Sequence, residues 1–390
     1  MDSILIASHV IHYKYNNQLY AYGPYAREID IWADLFPQVT IAAPLRNEKP
    51  PSDCLPFSRA NIDIVPQLER GGNTWREKLL QIISLPAMLW RLSVAMWKAG
   101  AIQVRCPGNL GLLGVILAPL FSRYRVAKYA GQWNGYPNEP LSNRLQRFIL
   151  SSGWWKSPVL VYGHWPKQPN HIKPFFTSMM SEEQVSHALA IAKTKGRVKQ
   201  PLRLLYSGRL VLEKHVEVLI ASMDILNDHG LNVVLKIVGD GPLKNELDAQ
   251  VKGLHLESKI KFEGAFPYEE ALRWYEWADC LVLASKHSEG WPKVVAEAMC
   301  YGVIPIVIGH GQLTEMVKGR GFLLEDGTPQ EFAKAIMEVN ALGNDVKKIR
   351  DLASDWAAQY SLPSMRNELR SLLSREWLIS ESILSIVEEL

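Results

Sequence analysis

The chain predicts an α/β protein made of two doubly wound halves, and three observations carry that expectation. Short apolar runs of strand length alternate with helix-length amphipathic runs through all 390 residues. Glycine and proline sit where strand ends would turn into helix starts, as in Val238-Gly239-Asp240-Gly241-Pro242. Between the halves, residues 191–201 are basic, poor in large apolar side chains and closed by Pro201, so they read as an exposed linker.

In the first half, 1–190, strands are expected over 3–7, 39–43, 62–65, 102–104, 126–129 and 159–162. Helices are expected over 23–35, 75–98, 110–121 and 141–150, where the apolar spacing changes from strand to helix period. The second half, 202–360, has the cleaner pattern. Its strands are expected over 203–206, 233–238, 260–263, 280–283, 304–308 and 321–323, alternating with helices over 216–227, 242–252, 268–276, 293–301 and 329–342. The tail from Asp351 onward reads as helical. Ser361-Leu362-Pro363 can restart a helix after a break, which sets 361–390 apart as a final helical segment.

Composition narrows the function classes. An apolar fraction of 47% and a charged fraction of 21% describe an ordinary globular chain, and a net charge of +3 gives no reason to expect nucleic acid as a partner. Cys54, Cys106, Cys280 and Cys300 are scattered without metal-ligand spacing, which fits free thiols in a reducing, cytoplasmic setting. Residues 1–7 lack the basic start and long apolar core of a signal peptide and read as a first strand. The apolar run 110–121 contains Pro119 and is too short to span a bilayer. Thirteen tryptophans are many, and several neighbour cations, as in Trp75-Arg76, Trp90-Arg91, Trp97-Lys98 and Trp154-Trp155-Lys156. We read these stripes as helix core with snorkelling cations at the rim; the alternative is peripheral contact with an anionic membrane on its inner face.

The richest stretch runs from the apolar strand ending at Ala284 through Ser288-Glu289-Gly290-Trp291-Pro292-Lys293-Val294 into a helix that carries Glu297. Gly290 lets a ligand approach the backbone, and Pro292 suits a helix start. A strand-loop-helix junction presents free N–H groups and a positive dipole end to a phosphate. Carboxylates on either side, Glu289 and Glu297, can accept hydrogen bonds from sugar hydroxyls, so the spacing suits a nucleotide-sugar. A similar junction opens the second half: a strand ends at Ser207, Gly208 turns, and Arg209 and Lys214 follow. Arg209 can grip two phosphate oxygens with its planar fork, and Lys214 supplies a point charge. The bland alternatives are helix capping for the glutamates and solvated surface charge for the cations. No Asp-x-Asp pair occurs in the chain to hold a divalent metal on a diphosphate.

The Glu289-Gly290-x-Pro292 run, its second glutamate eight positions on, and the Ala298-Met299-x-x-Gly302 that follows resemble the donor-site motif of family 4 glycosyltransferases. These are the retaining glycosyl transferases group 1, of the GT-B fold. The resemblance covers 202–360 and is loose over 1–190. It implies two Rossmann-like domains facing a central cleft, the C-terminal one binding a nucleotide-sugar donor and the N-terminal one the acceptor, with 361–390 crossing back to the first domain. It implies a polysaccharide-type hexosyltransferase acting on a hydroxyl of a glycan or lipid-linked acceptor, with no cofactor and no metal. Glu289, Arg209 and Lys214 then serve catalysis. Ser207, Gly208, Gly239, Gly264, Gly290, Trp291, Pro292, Lys293, Val294 and Glu297 line the donor, with Glu297 on the ribose, Gly239 giving the ligand room, and the Phe262–Ala265 stretch along the base. On the acceptor side the resemblance points to a loop at Gly23 and to Arg105 where the family often has histidine. Trp133, Asn134 and His164, as suitable for packing as for binding, complete that side. An arginine cannot act as a base but can bind phosphate or an acidic acceptor. A GT-B sugar-nucleotide epimerase, or a non-catalytic nucleotide-sugar-binding protein, would keep the same donor motif.

Overall fold

The computed structural model describes residues 2–69, 75–136, 139–285 and 290–384. The chain divides into two compact units, Met1–Met179 with Leu362–Leu390, and Met180–Ser361.

The first unit is built on a ten-stranded sheet. Its strands are β1 (Ser3–Ala7), β2 (His12–Tyr15), β3 (Gln18–Tyr22), β4 (Gln38–Arg46), β5 (Cys54–Pro56), β6 (Ile62–Gln67), β7 (Ala101–Cys106), β8 (Arg125–Tyr129), β9 (Val159–Tyr162) and β10 (Ile172–Phe175). The parallel part runs β6-β4-β1-β7-β8-β9-β10, while β2, β3 and β5 extend it beyond the far end of β4. Helices α1 (Gly23–Leu35), α2 (Trp75–Trp97), α3 (Asn109–Phe121) and α4 (Leu141–Ser151) connect these strands. The β2–β3 hairpin was not expected, since no strand was read between 7 and 39. Its signal is Asn16-Asn17, both at positive φ (47° and 62°), the backbone that a tight two-residue hairpin turn demands.

The second unit holds α5 (Glu182–Thr194), β11 (Leu202–Ser207), α6 (Val216–Asp228), β12 (Val233–Val238), α7 (Lys244–Gly253), β13 (Ile260–Gly264), α8 (Tyr268–Trp277) and β14 (Cys280–Leu283). After these come α9 (Lys293–Cys300), β15 (Ile304–Ile308), α10 (Gly311–Val317), β16 (Phe322–Leu324), α11 (Pro329–Ala341) and α12 (Val346–Ala357). Six parallel strands lie in the order β13-β12-β11-β14-β15-β16. Counted within the unit this is 3-2-1-4-5-6, the dinucleotide-binding order, with its switch point between β11 and β14. Every residue of β14 and β15 is buried, because helices cover both faces of a parallel sheet and leave no side for polar alternation.

The expected linker is corrected. Ser181 and Gln184 form a capping box that starts α5, and the helix runs into the supposed linker as far as Thr194. Ala192 is buried, and Lys195 Nζ donates to the carbonyls of Tyr275 and Ala278 at 2.7 and 2.6 Å. Lys195 thus anchors the end of α5 to the second unit, while Lys193, Arg197 and Lys199 stay exposed as expected; the boundary between the units falls at 179/180. The last helix, α13 (Leu362–Trp377), belongs to the first unit. Its Met365, Leu369, Leu373 and Trp377 enter the core formed by Ile4, Ile6, Trp32 and Phe36.

Candidate functional site

Loops at the carboxyl ends of β11, β12 and β13 are clamped backbone to backbone. Gly208 N donates to Val238 O at 3.0 Å, Leu210 N to Asp240 O at 2.9 Å, and Gly239 N to Gly264 O at 2.8 Å. A Cβ on Gly239, whose φ is +138°, would stand 1.8 Å from Gly208 O, and one on Gly241 would stand 2.3 Å from Leu210 O. Gly239 is therefore required by the fold itself, because a neighbouring loop fills its Cβ position. Gly264 differs: its φ of +84° demands glycine, yet among the described residues nothing lies within 4 Å of the added Cβ.

Arg209 and Lys214 lie on the loop between β11 and α6, at the switch point. Tyr206 Oη donates to Arg209 O at 2.8 Å and pins the loop, while the Arg209 side chain is exposed and its guanidinium has no partner among the described residues. Lys214 ends a short 3-10 turn, Leu212–Lys214, and is half-buried.

On the other side of the switch point, Gly290 and Pro292 lead into α9, with Pro292 as the extended N-cap and Lys293 and Val294 half-buried in the first turn. Glu289 lies outside the described residues. Glu297 is buried, and its two oxygens accept hydrogen bonds from Tyr275 Oη at 3.0 Å and Tyr268 Oη at 3.3 Å. Burial first, and the Glu297 charge second, push the Tyr275 phenol well above its ordinary range, so it stays a donor; the same hydroxyl is also bonded to Ser207. Tyr275 thus ties the end of β11 to α9. Sequence reasoning missed both tyrosines. They stand seven residues apart on α8, two turns along one helix face, a spacing that would have revealed them. Trp291 is buried and stacked on Trp356 (6.1 Å, 22°) and edge-on to Tyr360 (5.0 Å), so its ring packs the motif against the unit. Among the described residues no group of three or more His, Cys, Asp or Glu stands together as a metal site.

In the first unit, Arg105 at the end of β7 is not an open anion receptor. Its Nη1 bonds Glu28 Oε1 at 2.9 Å, Lys128 Nζ sits 3.1 Å from Glu28 Oε2, and the guanidinium lies over the Tyr25 ring at 5.0 Å. Burial alone would raise the Glu28 carboxyl, but Arg105 and Lys128 outweigh it and hold it at about 2. Gly23 opens α1, its N–H donating to Asp53 O at 2.9 Å. Trp133 is buried, edge-on to Tyr129 and bonded to Gln168 Oε1 at 3.2 Å, while Asn134 and His164 are exposed. An open pocket at the start of α3 is lined by His9, Pro44, Glu69, Gly108 and Asn109. His9 was overlooked in the sequence; a histidine two residues past the end of β1 is the only signal it gives.

Residues 189–356 match the family described as glycosyl transferases group 1. Six-strand order, loop clamp and buried glutamate all fall inside it. Among curated relatives, the amylovoran biosynthesis glycosyltransferase AmsK of Erwinia amylovora is 29% identical over 161 residues, 40% of each chain. The alpha-monoglucosyldiacylglycerol synthase of Streptococcus pneumoniae is 29% identical over 136 residues, 35% of this chain and 30% of that protein. The chain therefore spans well under half the length of these curated relatives. Solved structures extend the likeness to both units. HepE of Anabaena in complex with UDP matches with a TM-score of 0.69 at 16% identity, covering 96% of this chain and all of that one. Sucrose-phosphate synthase of Thermosynechococcus elongatus matches at 0.70 and 17%, covering 97% and 100%. The fold is that of the GT-B glycosyltransferases.

Proposed function

We propose that this protein is a retaining, metal-independent glycosyltransferase that moves a hexosyl group from a nucleotide-sugar to a hydroxyl of a glycan or lipid-linked acceptor. The observation that carries the reading is the buried Glu297 carboxylate, held by Tyr275 and Tyr268 at the switch point of a dinucleotide-type sheet, with the Arg209 fork open at the same sheet end. Glu297 accepts the ribose hydroxyls. Glu289 holds hydroxyls of the donor sugar, and the α9 N-terminus with Ser207, Gly208, Gly264 and Gly290 lines the diphosphate and base. In the reaction the anomeric carbon–oxygen bond to the diphosphate breaks, the acceptor oxygen bonds to that carbon on the same face, and its proton passes to the leaving phosphate oxygen. Arg209 and Lys214 stabilise the charge that grows on the diphosphate, which is where electrostatic catalysis acts most strongly. HepE has been solved with UDP and with UDP-glucose, which supports a uridine nucleotide as the first donor to try. The free cysteines, with the Cys280 and Cys300 thiols pushed up to about 12 by burial, support a cytoplasmic setting.

The test is a panel of labelled nucleotide-sugars, assayed for hydrolysis and transfer with and without excess EDTA, the product anomer being read by proton NMR. Transfer with retention, unaffected by chelator, is expected. An inverted anomer would refute retention, and loss in EDTA restored by magnesium or manganese would refute metal independence. Nucleotide binding without any turnover would make the chain a sensor instead.

A further inference from the structure

Of the tryptophans in these stripes, Trp155 is core, but Trp75, Trp90, Trp97 and Trp154 are not. Trp90 is 72% exposed, Trp97 82% and Trp75 69%, and the first described buried residue of α2 is Met88. From Trp75 to Pro86 the helix presents Leu79, Leu80, Ile82 and Ile83 to solvent. Its inward stripe, Met88, Leu92, Ala95 and Met96, uses only the C-terminal half. α3 packs beside α2, and α4 beside α3. They add Leu120, Leu141, Leu145 and Phe148 to the exposed apolar surface, the last at 72%. Trp154, 47% exposed, is tied to α3 by its Nε1 donating to Ile116 O at 3.3 Å. One three-helix layer of the first unit thus carries an apolar surface too broad for scattered surface residues.

Its charge names the occupant. Arg76, Arg91, Lys98, Arg123, Arg144 and Lys156 are exposed along these helices and their ends. Within 75–98, 109–123 and 141–156 the sequence has a single acidic residue, Glu77. Large apolar and aromatic side chains among cations, on helices lying side by side, fit the boundary between headgroups and acyl chains of an anionic bilayer. No helix of the described residues is long and apolar enough to cross a membrane, so insertion stops at the interface. We propose that the α2–α3–α4 layer docks flat on an anionic lipid surface, burying Trp75, Trp90, Trp97, Phe148 and Trp154 among the headgroups. This goes beyond the transferase reading and stands without it; if both hold, the acceptor is one borne by the lipid.

The experiment uses the full chain and two vesicle compositions, phosphatidylcholine alone and phosphatidylcholine with phosphatidylglycerol. Sedimentation with the anionic vesicles is expected at low salt and should weaken as salt rises. Brominated phosphatidylglycerol should quench tryptophan emission. The triple variant Trp90→Ser/Trp97→Ser/Phe148→Ser should lower the partition coefficient by at least about tenfold. Its melting temperature and its affinity for a nucleoside diphosphate should not change. The quenching arm needs no variant, so a misfolded variant leaves the proposal exposed. Absence of both sedimentation and quenching at low salt overturns it. So does self-association, read by sedimentation equilibrium, that the triple variant abolishes while vesicle binding is nil; the face would then belong to a second copy of this chain. Because the nucleotide arm is read separately, failure of docking and failure of the transferase reading give different results.

Discussion

At the scale of single residues, two buried carboxylates hold different kinds of position. Glu28 is closed: both its oxygens are taken by cations, and Arg105 and Lys128 outnumber it. Glu28→Gln leaves two buried cations without a counter-charge and should cost about 3–5 kcal/mol of stability, measured by urea denaturation. Its folded-state carboxyl lies below the unfolded value, so the pair stabilises fully above about pH 4.5 and is lost as pH falls toward 2. Wild-type stability should therefore fall across that window, and the variant should lack that part of the fall. Glu297 instead accepts hydrogen bonds from two neutral phenols, those of Tyr275 and Tyr268. Glu297→Gln should weaken binding of the nucleoside diphosphate by about 1.5–3 kcal/mol in calorimetry, the worth of a hydrogen bond to a charged group. Tyr275→Phe is the control. If both variants lose melting temperature while keeping nucleotide affinity, the carboxylate serves packing alone.

Elements show what the sequence carried and what it hid. The strands 280–283 and 304–308 were legible to the residue, because an unbroken apolar run suits a strand covered on both faces, and 233–238 was legible although Lys236 interrupts its apolar run. Helix α1 was legible from Gly23-Pro24 at its start. The β2–β3 hairpin was hidden by its polar, tyrosine-rich composition, and the end of α5 by a basic tail in which Lys195 alone turns inward to carbonyls. The donor-side motif could be read because its chemistry is local, within the β11–α6 loop and the α9 turn. Tyr275 and Tyr268 show in the sequence only as a pair on one face of α8; that they reach Glu297, on a different helix, is a tertiary fact. The tryptophan stripes misled because periodicity reports an apolar face without saying what covers it. On the β11–α6 loop, Arg209→Ala and Lys214→Ala should each lower kcat by about 100-fold with little change in melting temperature. A loss of stability at constant rate per folded molecule would mark them as structural cations.

For the whole molecule, the division into two units was foreseen, but its boundary lies before α5 rather than after it. The first unit is discontinuous in sequence. A chain ending at Ser361 would remove Met365, Leu369, Leu372, Leu373 and Trp377 from the core around Trp32 and Phe36. Each large buried side chain is worth about 2–5 kcal/mol, so the loss exceeds the stability of an ordinary domain. Calorimetry of that truncation should show the first unit's transition gone and the second unit's retained. An unchanged thermal profile would mean that α13 only decorates the surface.

That discontinuity reverses the order of events during synthesis. A ribosome delivers the first unit's strands early, but their core stays open on one side until Trp377 has emerged. The second unit, one uninterrupted stretch from Met180 to Ser361, has its whole sequence in hand sooner. Domains ordinarily fold in the order they are made. Here the half whose strands come first is the half that finishes folding last, and its exposed apolar helix α2 waits longest for its own core to close.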